Sequence, residues 1–127
     1  MTDFEDMTAM DLMQRMMARE YYLIKWMPLV PFEELLPALK DHFVYLIGLE
    51  KEGILFASGP LEDKVAGMTG AGVTIVRADN FEEAEKLASN DPFVKAGLRK
   101  FDLQKWTVNE GRISISVDLS DGTPSVL

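Results

Sequence analysis

The stretch "DHFVYLIGLEKEGILFASGP", residues 41–60, decides the architecture. Its first half belongs to an amphipathic helix: Leu39, His42, Leu46 and Leu49 recur at helical spacing and form one stripe, flanked by Phe43. "KEG" (51–53) ends that helix, with Gly53 suited to the left-handed position just past a helix. The second half, "ILFASGP" (54–60), reads as a strand ended by Gly59-Pro60. A strand must stand before the helix for the pair to close a β-α-β unit. "EYYLIKWMPLV" (20–30), aromatic and branched, supplies it and stops at Pro31. The helix between them starts at Pro31 or, with a break, near Pro37, because proline suits a first helical turn and disrupts an interior.

Working outward, residues 61–72, "LEDKVAGMTGAG", read as a loop with three glycines. "VTIVRAD" (73–79) alternates and is a third strand. Asn80 caps a helix over "FEEAEKLASN", with Phe81, Ala84, Leu87 and Ala88 on one face. Asp91 and Pro92 open a further helical piece over 91–98. "KFDLQKWTV" (100–108) alternates, and so does "RISISVDL" (112–119), with Ile113, Ile115, Val117 and Leu119 on one side. Asp121-Gly122 is a turn. At the other end, residues 2–19 read as a helix with a Thr2/Glu5 capping box. Six of the eight methionines fall in the first 17 residues of the chain. Such a helix either docks on a partner or covers a pocket, or it lies on its own core.

The order is therefore a helix, then β-α-β-β-α-β, then one more strand. This is an α+β fold: a ferredoxin-like antiparallel sheet with both helices on one face. "YYLIKW" and "ILFA" are apolar on both sides, so the bare sheet face calls for a second sheet. A homodimer packed sheet to sheet is the simplest source. No linker divides the 127 residues, and one domain is expected over 1–127.

Apolar residues make up 47% of the chain, enough for a core, and no apolar run is long enough to span a membrane. The N-terminus is acidic, unlike a secretory or transit segment, which favours the cytoplasm. A net charge of −8 without a basic stripe argues against nucleic acid. Cysteine is absent, so there is no disulfide frame and no thiol nucleophile. One histidine and no cysteine do not make a transition-metal site, so no metal is expected. "GMTGAG" (67–72) lacks the lysine and hydroxyl of a phosphate loop and precedes a strand. No dinucleotide fingerprint, serine-nucleophile elbow or calcium loop occurs, and no motif requires an organic cofactor.

His42 is the only histidine. Its stripe faces the core or the rim of the helix–sheet interface, where an imidazole must find hydrogen bonds. It is either a satisfied core residue or a functional one. A carboxylate on one ring nitrogen would fix the tautomer and raise the basicity of the other. Most acids lie on exposed helix faces, whereas Asp91 stands semi-sheltered at a helix start, where its ordinary role is an N-cap. The small residues Ser58, Gly59 and Pro60 leave room for a ligand or for another backbone.

Taken together, "YYLIKW", "DHFVYLIGLEKEGILFASGP", "ADNFEEAEKLASNDPFVKAGL" and the strand through Trp106 resemble the YCII-related proteins. The likeness covers about residues 20–110; the first helix and the last strand lie outside it. It implies a dimeric α+β barrel with an active site built on a His–Asp pair, here His42 and Asp91, with Ser58, Gly59 and Pro60 beside it binding substrate. Some related proteins dehydrochlorinate chlorinated hydroxyquinols, and the wider superfamily includes lactone isomerases and monooxygenases. Two functions follow as expectations. In the first, His42 moves protons on a small molecule, oriented by Asp91, in isomerisation, elimination or lactone chemistry, with backbone N–H groups near Ser58 and Gly59 holding an oxyanion. In the second, the protein is a non-catalytic dimeric binding or interaction module, and the pair is structural. A cavity facing one ring nitrogen separates the two.

Overall fold

Trp26, Thr74 and Ser58 are joined across three strands by hydrogen bonds, and this chain fixes the register of the sheet. The Trp26 indole donates to Thr74 Oγ1 at 2.7 Å, and the Thr74 and Ser58 hydroxyls lie 2.7 Å apart. The strands are β1 (Arg19–Pro28), β2 (Leu55–Asp63) and β3 (Gly67–Val76), to which β4 (Arg99–Val108) is added. The sheet order is β2-β3-β1-β4, and β3 runs antiparallel to both of its neighbours. The helices between strands are α2 (Leu39–Lys51), α3 (Phe81–Ser89) and the single turn α4 (Pro92–Lys95); α1 (Ala9–Arg15) precedes the sheet. The β-α-β-β-α-β order expected from the sequence is the one found. This computed structural model describes residues 3–126, and none of its helices is long and apolar enough to cross a membrane.

Alternation on β1 builds the core. Tyr22, Ile24 and Trp26 are buried with Val76, and Ala84 and Ala88 of α3 pack on them. Alanine at both helix positions lets α3 sit close to the sheet. The intervening Tyr21 and Leu23 fall on the other side of the pleat. Ile75 lies opposite Leu23 there. Glu20–Thr107 forms one compact unit. The flanking segments, up to Arg19 and from Val108, form a second.

Several elements differ from expectation. The chain passes through two 3-10 turns, Phe32–Glu34 and Leu36–Ala38, before α2 begins at Leu39, so the late start after Pro37 holds. Gly53, at φ 77°, ends the helix as expected. Residues 61–72 are not a loop. β2 runs through Gly59-Pro60, which face Val73 and Gly72, and the hairpin turns only at 64–66. Proline is tolerated there because β2 is an edge strand, and the ladder shifts by bulges at Leu55/Ala57 and Pro60/Glu62. Glycine is needed for close approach. A Cβ on Gly72 would lie 3.0 Å from the Gly59 carbonyl oxygen, and one on Gly70 would press on Leu35 Cδ1.

The termini also differ. The N-terminal helix is shorter, a 3-10 turn Phe4–Asp6 followed by α1, and its capping box pairs Thr8 with Asp11. The expected Thr2 cap lies outside the described residues. The last strand does not extend the main sheet. β5 (Ile115–Asp118) pairs instead with β6 (Thr123–Val126) in a hairpin turned by Asp121-Gly122. Ile113, Ile115, Val117 and Leu119 are exposed.

Candidate active site

α2 turns His42, Leu46 and Leu49 inward, as their spacing requires. His42 is buried at 7% exposure. Asp91, wholly buried, waits beneath it at the start of α4. Its two oxygens do different work. Oδ2 accepts the Phe93 N–H at 3.1 Å and caps the turn; Oδ1 pairs with His42 Nδ1. Both readings of Asp91, cap and histidine partner, therefore hold at once. With a carboxylate on Nδ1, that nitrogen carries the proton. Nε2 has no protein hydrogen-bond partner among the described residues. The Phe93 ring stacks on the imidazole, centroids 4.6 Å apart and planes 28° from parallel, and holds its tilt.

The imidazole opens on a cavity of about 580 Å³, within the range of small-molecule sites. Ser58, Gly59 and Pro60 line its floor, while Asp91 stays behind the wall. These three residues are mid-strand in β2 rather than a turn at its end. Leu35, Leu39, Phe43, Ile47 and Met68 make the rest largely apolar. Tyr45 ties α2 to α3 by donating to the Leu87 carbonyl at 2.8 Å. Burial raises its phenol above the usual range, and the charges of Asp91 and Glu52 add to that, so it stays protonated.

Among the lining residues that sequence reading did not single out, two are charged, Glu50 and Arg99, and Arg99 is the buried one. Arg99 stands at the first position of β4, at 7% exposure. Its guanidinium lies between Trp26 and Phe93, 4.5 and 4.7 Å from the ring centroids. Burial pushes its pKa down to about 10, and nearby Asp91 opposes the shift, so it remains a cation at neutral pH. No local signal marks it. Arg99 falls between the helical piece read over 91–98 and the strand read over 100–108, and only the fold brings Trp26 and Phe93 around it.

Among the described residues no three His, Cys, Asp or Glu side chains cluster as metal ligands would.

The model of the YCII-related domain matches residues 10–107. A solved structure is also similar: 5-chloro-2-hydroxyhydroquinone dehydrochlorinase (TftG) from Burkholderia phenoliruptrix AC1100, in complex with 2,5-dihydroxybenzoquinone. It is 24% identical with a TM-score of 0.57, covering 68% of this chain and 92% of that one. At that identity the likeness is one of fold. No curated protein matches the chain.

Proposed function

The chain belongs to the YCII-related domain family, and we propose that it is a small-molecule enzyme in which His42 carries a proton and Asp91 positions it. The observation behind this reading is the division of the ring: Nδ1 is held by Asp91, while Nε2, without a protein partner among the described residues, belongs to a residue lining the cavity. Nε2 takes a proton from a C–H or O–H acid of the bound substrate, and the imidazolium that forms is stabilised by the Asp91 carboxylate. The proton then returns to another atom of the substrate, an isomerisation. Alternatively a leaving group departs with the bonding electron pair, an elimination of HX. The resemblance in fold to a dehydrochlorinase supports elimination as the first reaction to try. Ser58 offers its hydroxyl to orient the substrate, with Gly59 and Pro60 leaving space beside it. This chemistry calls on no cofactor.

We read residues 1–127 as one such domain with terminal extensions. It works as a homodimer, closed through the sheet face that carries Tyr21, Leu23 and Ile75.

The test is turnover of 5-chloro-2-hydroxyhydroquinone, and deuterium uptake from solvent into a panel of enolisable carbonyl compounds and lactones. Wild type is compared with His42→Asn. We expect the variant to lose about 10²–10⁴-fold in rate. A rate that survives in His42→Asn removes the ring from the chemistry. A panel on which wild type is inert favours the binding module instead.

A further inference from the structure

We propose that Arg99 is an anion-recognition residue, so that the cavity selects a small, mainly apolar organic acid and seats its delocalised oxyanion on the guanidinium. The inference deepens the proposed function, resting on the cavity being the substrate site. Its observations concern Arg99 alone.

A guanidinium is normally exposed or paired when a protein buries it. Arg99 is neither. It makes no ion pair and no hydrogen bond among the described residues, and its Nε is buried without a partner. Asp91 is near enough to be felt electrostatically but is engaged by His42 and the Phe93 N–H. The two rings that flank Arg99 give it cation–π contacts and fix its plane, but they accept no N–H hydrogen bond in that plane. The fork of donors is thus held in plane and unspent in the cavity that His42 also lines. A planar guanidinium of this kind matches a carboxylate, enolate or phenolate, forming charge-assisted bonds stronger than neutral ones. The other charged lining residue, Glu50, is an exposed carboxylate paired with Lys51 at 3.7 Å. The rest of the lining is largely apolar, with the hydroxyl of Ser58 as an additional polar group, so the body of the ligand is a ring or branched chain rather than a sugar or a phosphate ester. The placement also suits the proton transfer. An anion formed when His42 takes a proton would be stabilised by a cation already desolvated.

The test uses a matched pair of probes, benzoate and the neutral benzamide, titrated into the protein by NMR. Wild type should bind benzoate about tenfold or more tightly than benzamide, and Arg99→Met should erase the difference. Arg99→Lys, which keeps the charge without the fork, should restore part of it. Equal behaviour of the two probes in wild type, including failure of both to bind, overturns the proposal. So does a preference that persists in Arg99→Met. If Arg99→Met fails to fold, the wild-type comparison and a benzoate-dependent shift of the Arg99 Nε–H signal decide. His42→Asn separates this inference from the reading beneath it. A benzoate preference retained there, beside a panel without turnover, leaves the anion site standing and removes the proton-transfer role. Turnover of neutral substrates only, with no benzoate preference, does the reverse.

Discussion

Asp91 shows how much one side chain can be asked to hold. Asp91→Ala removes a cap, worth about 1 kcal/mol. It also strands the buried Nδ1–H of His42, worth a further 1–2 kcal/mol or so. Urea denaturation should therefore show a loss of about 2–3 kcal/mol. Asp91→Asn keeps the cap and the neighbour but not the charge. The unfolding midpoint should move little, while turnover falls by about 10²-fold or more and the ring nitrogen shifts of His42 report a changed tautomer balance. Arg99 carries the opposite expectation. Its folded pKa, about 10, lies below the ordinary guanidinium range. Below about 10 both states hold the proton and the full cost of burial is present. Above that value, up to the ordinary guanidinium range, only the unfolded chain keeps the proton, so the penalty shrinks and stability rises with pH. At neutral pH Arg99→Met should thus stabilise the ligand-free protein by about 1 kcal/mol, the low end for replacing buried charge, since the ring contacts are lost too. Melting curves without ligand check this. His42 was legible because its spacing put it in an apolar stripe. Asp91 was legible only as a cap plus a resemblance, because its partner is 49 residues away. Arg99 was not legible, since neither its burial nor its aromatic neighbours leave a trace in "GLRK".

At the scale of elements, the β2–β3 hairpin is where sequence and structure part. Glycine and proline normally punctuate strands, so 61–72 read as a loop. Here they serve close packing and an edge. Gly70 sits at φ 97° with Leu35 against it, and Leu35 also lines the cavity. Gly70→Ala should cost about 1–3 kcal/mol in a denaturation series and weaken ligand binding by pressing Leu35. The turn itself rests on Asp63, whose carboxylate accepts the Val65 and Ala66 N–H groups at 3.0 and 2.8 Å. Those bonds hold its pKa below the usual carboxylate range. A depressed acid contributes its stability above its unfolded pKa and loses it as pH falls through the folded one. Amide exchange at Val65 and Ala66, corrected for intrinsic rates, should therefore be slowest relative to a free peptide above about pH 4 and lose that protection below. Asp63→Ala should lose it at every pH. The C-terminal segment was read as a single strand because alternation identifies a strand but not its partner, and β6 follows only four residues after β5.

For the molecule as a whole, the β-α-β-β-α-β order was readable from periodicity, because each element buries one face and so carries the period of its own geometry. Association is the claim that remains at this scale. Sedimentation should give twice the chain mass for wild type, and Leu23→Lys or Val73→Glu, charges on the sheet face away from the helices, should give single chains. A monomeric wild type ends that reading. The edges of the same sheet have another bearing. β2 offers a proline where a strand would need an N–H, two bulges, and a run closing in Glu62 and Asp63, while β4 exposes Lys100, Asp102 and Lys105. Neither border is a flat template on which a further chain could lie down in register. Held concentrated and warm below its melting point, the protein should stay free of thioflavin-binding fibres, and the Gly59-Pro60 pair that makes room beside His42 would then also be a guard against amyloid.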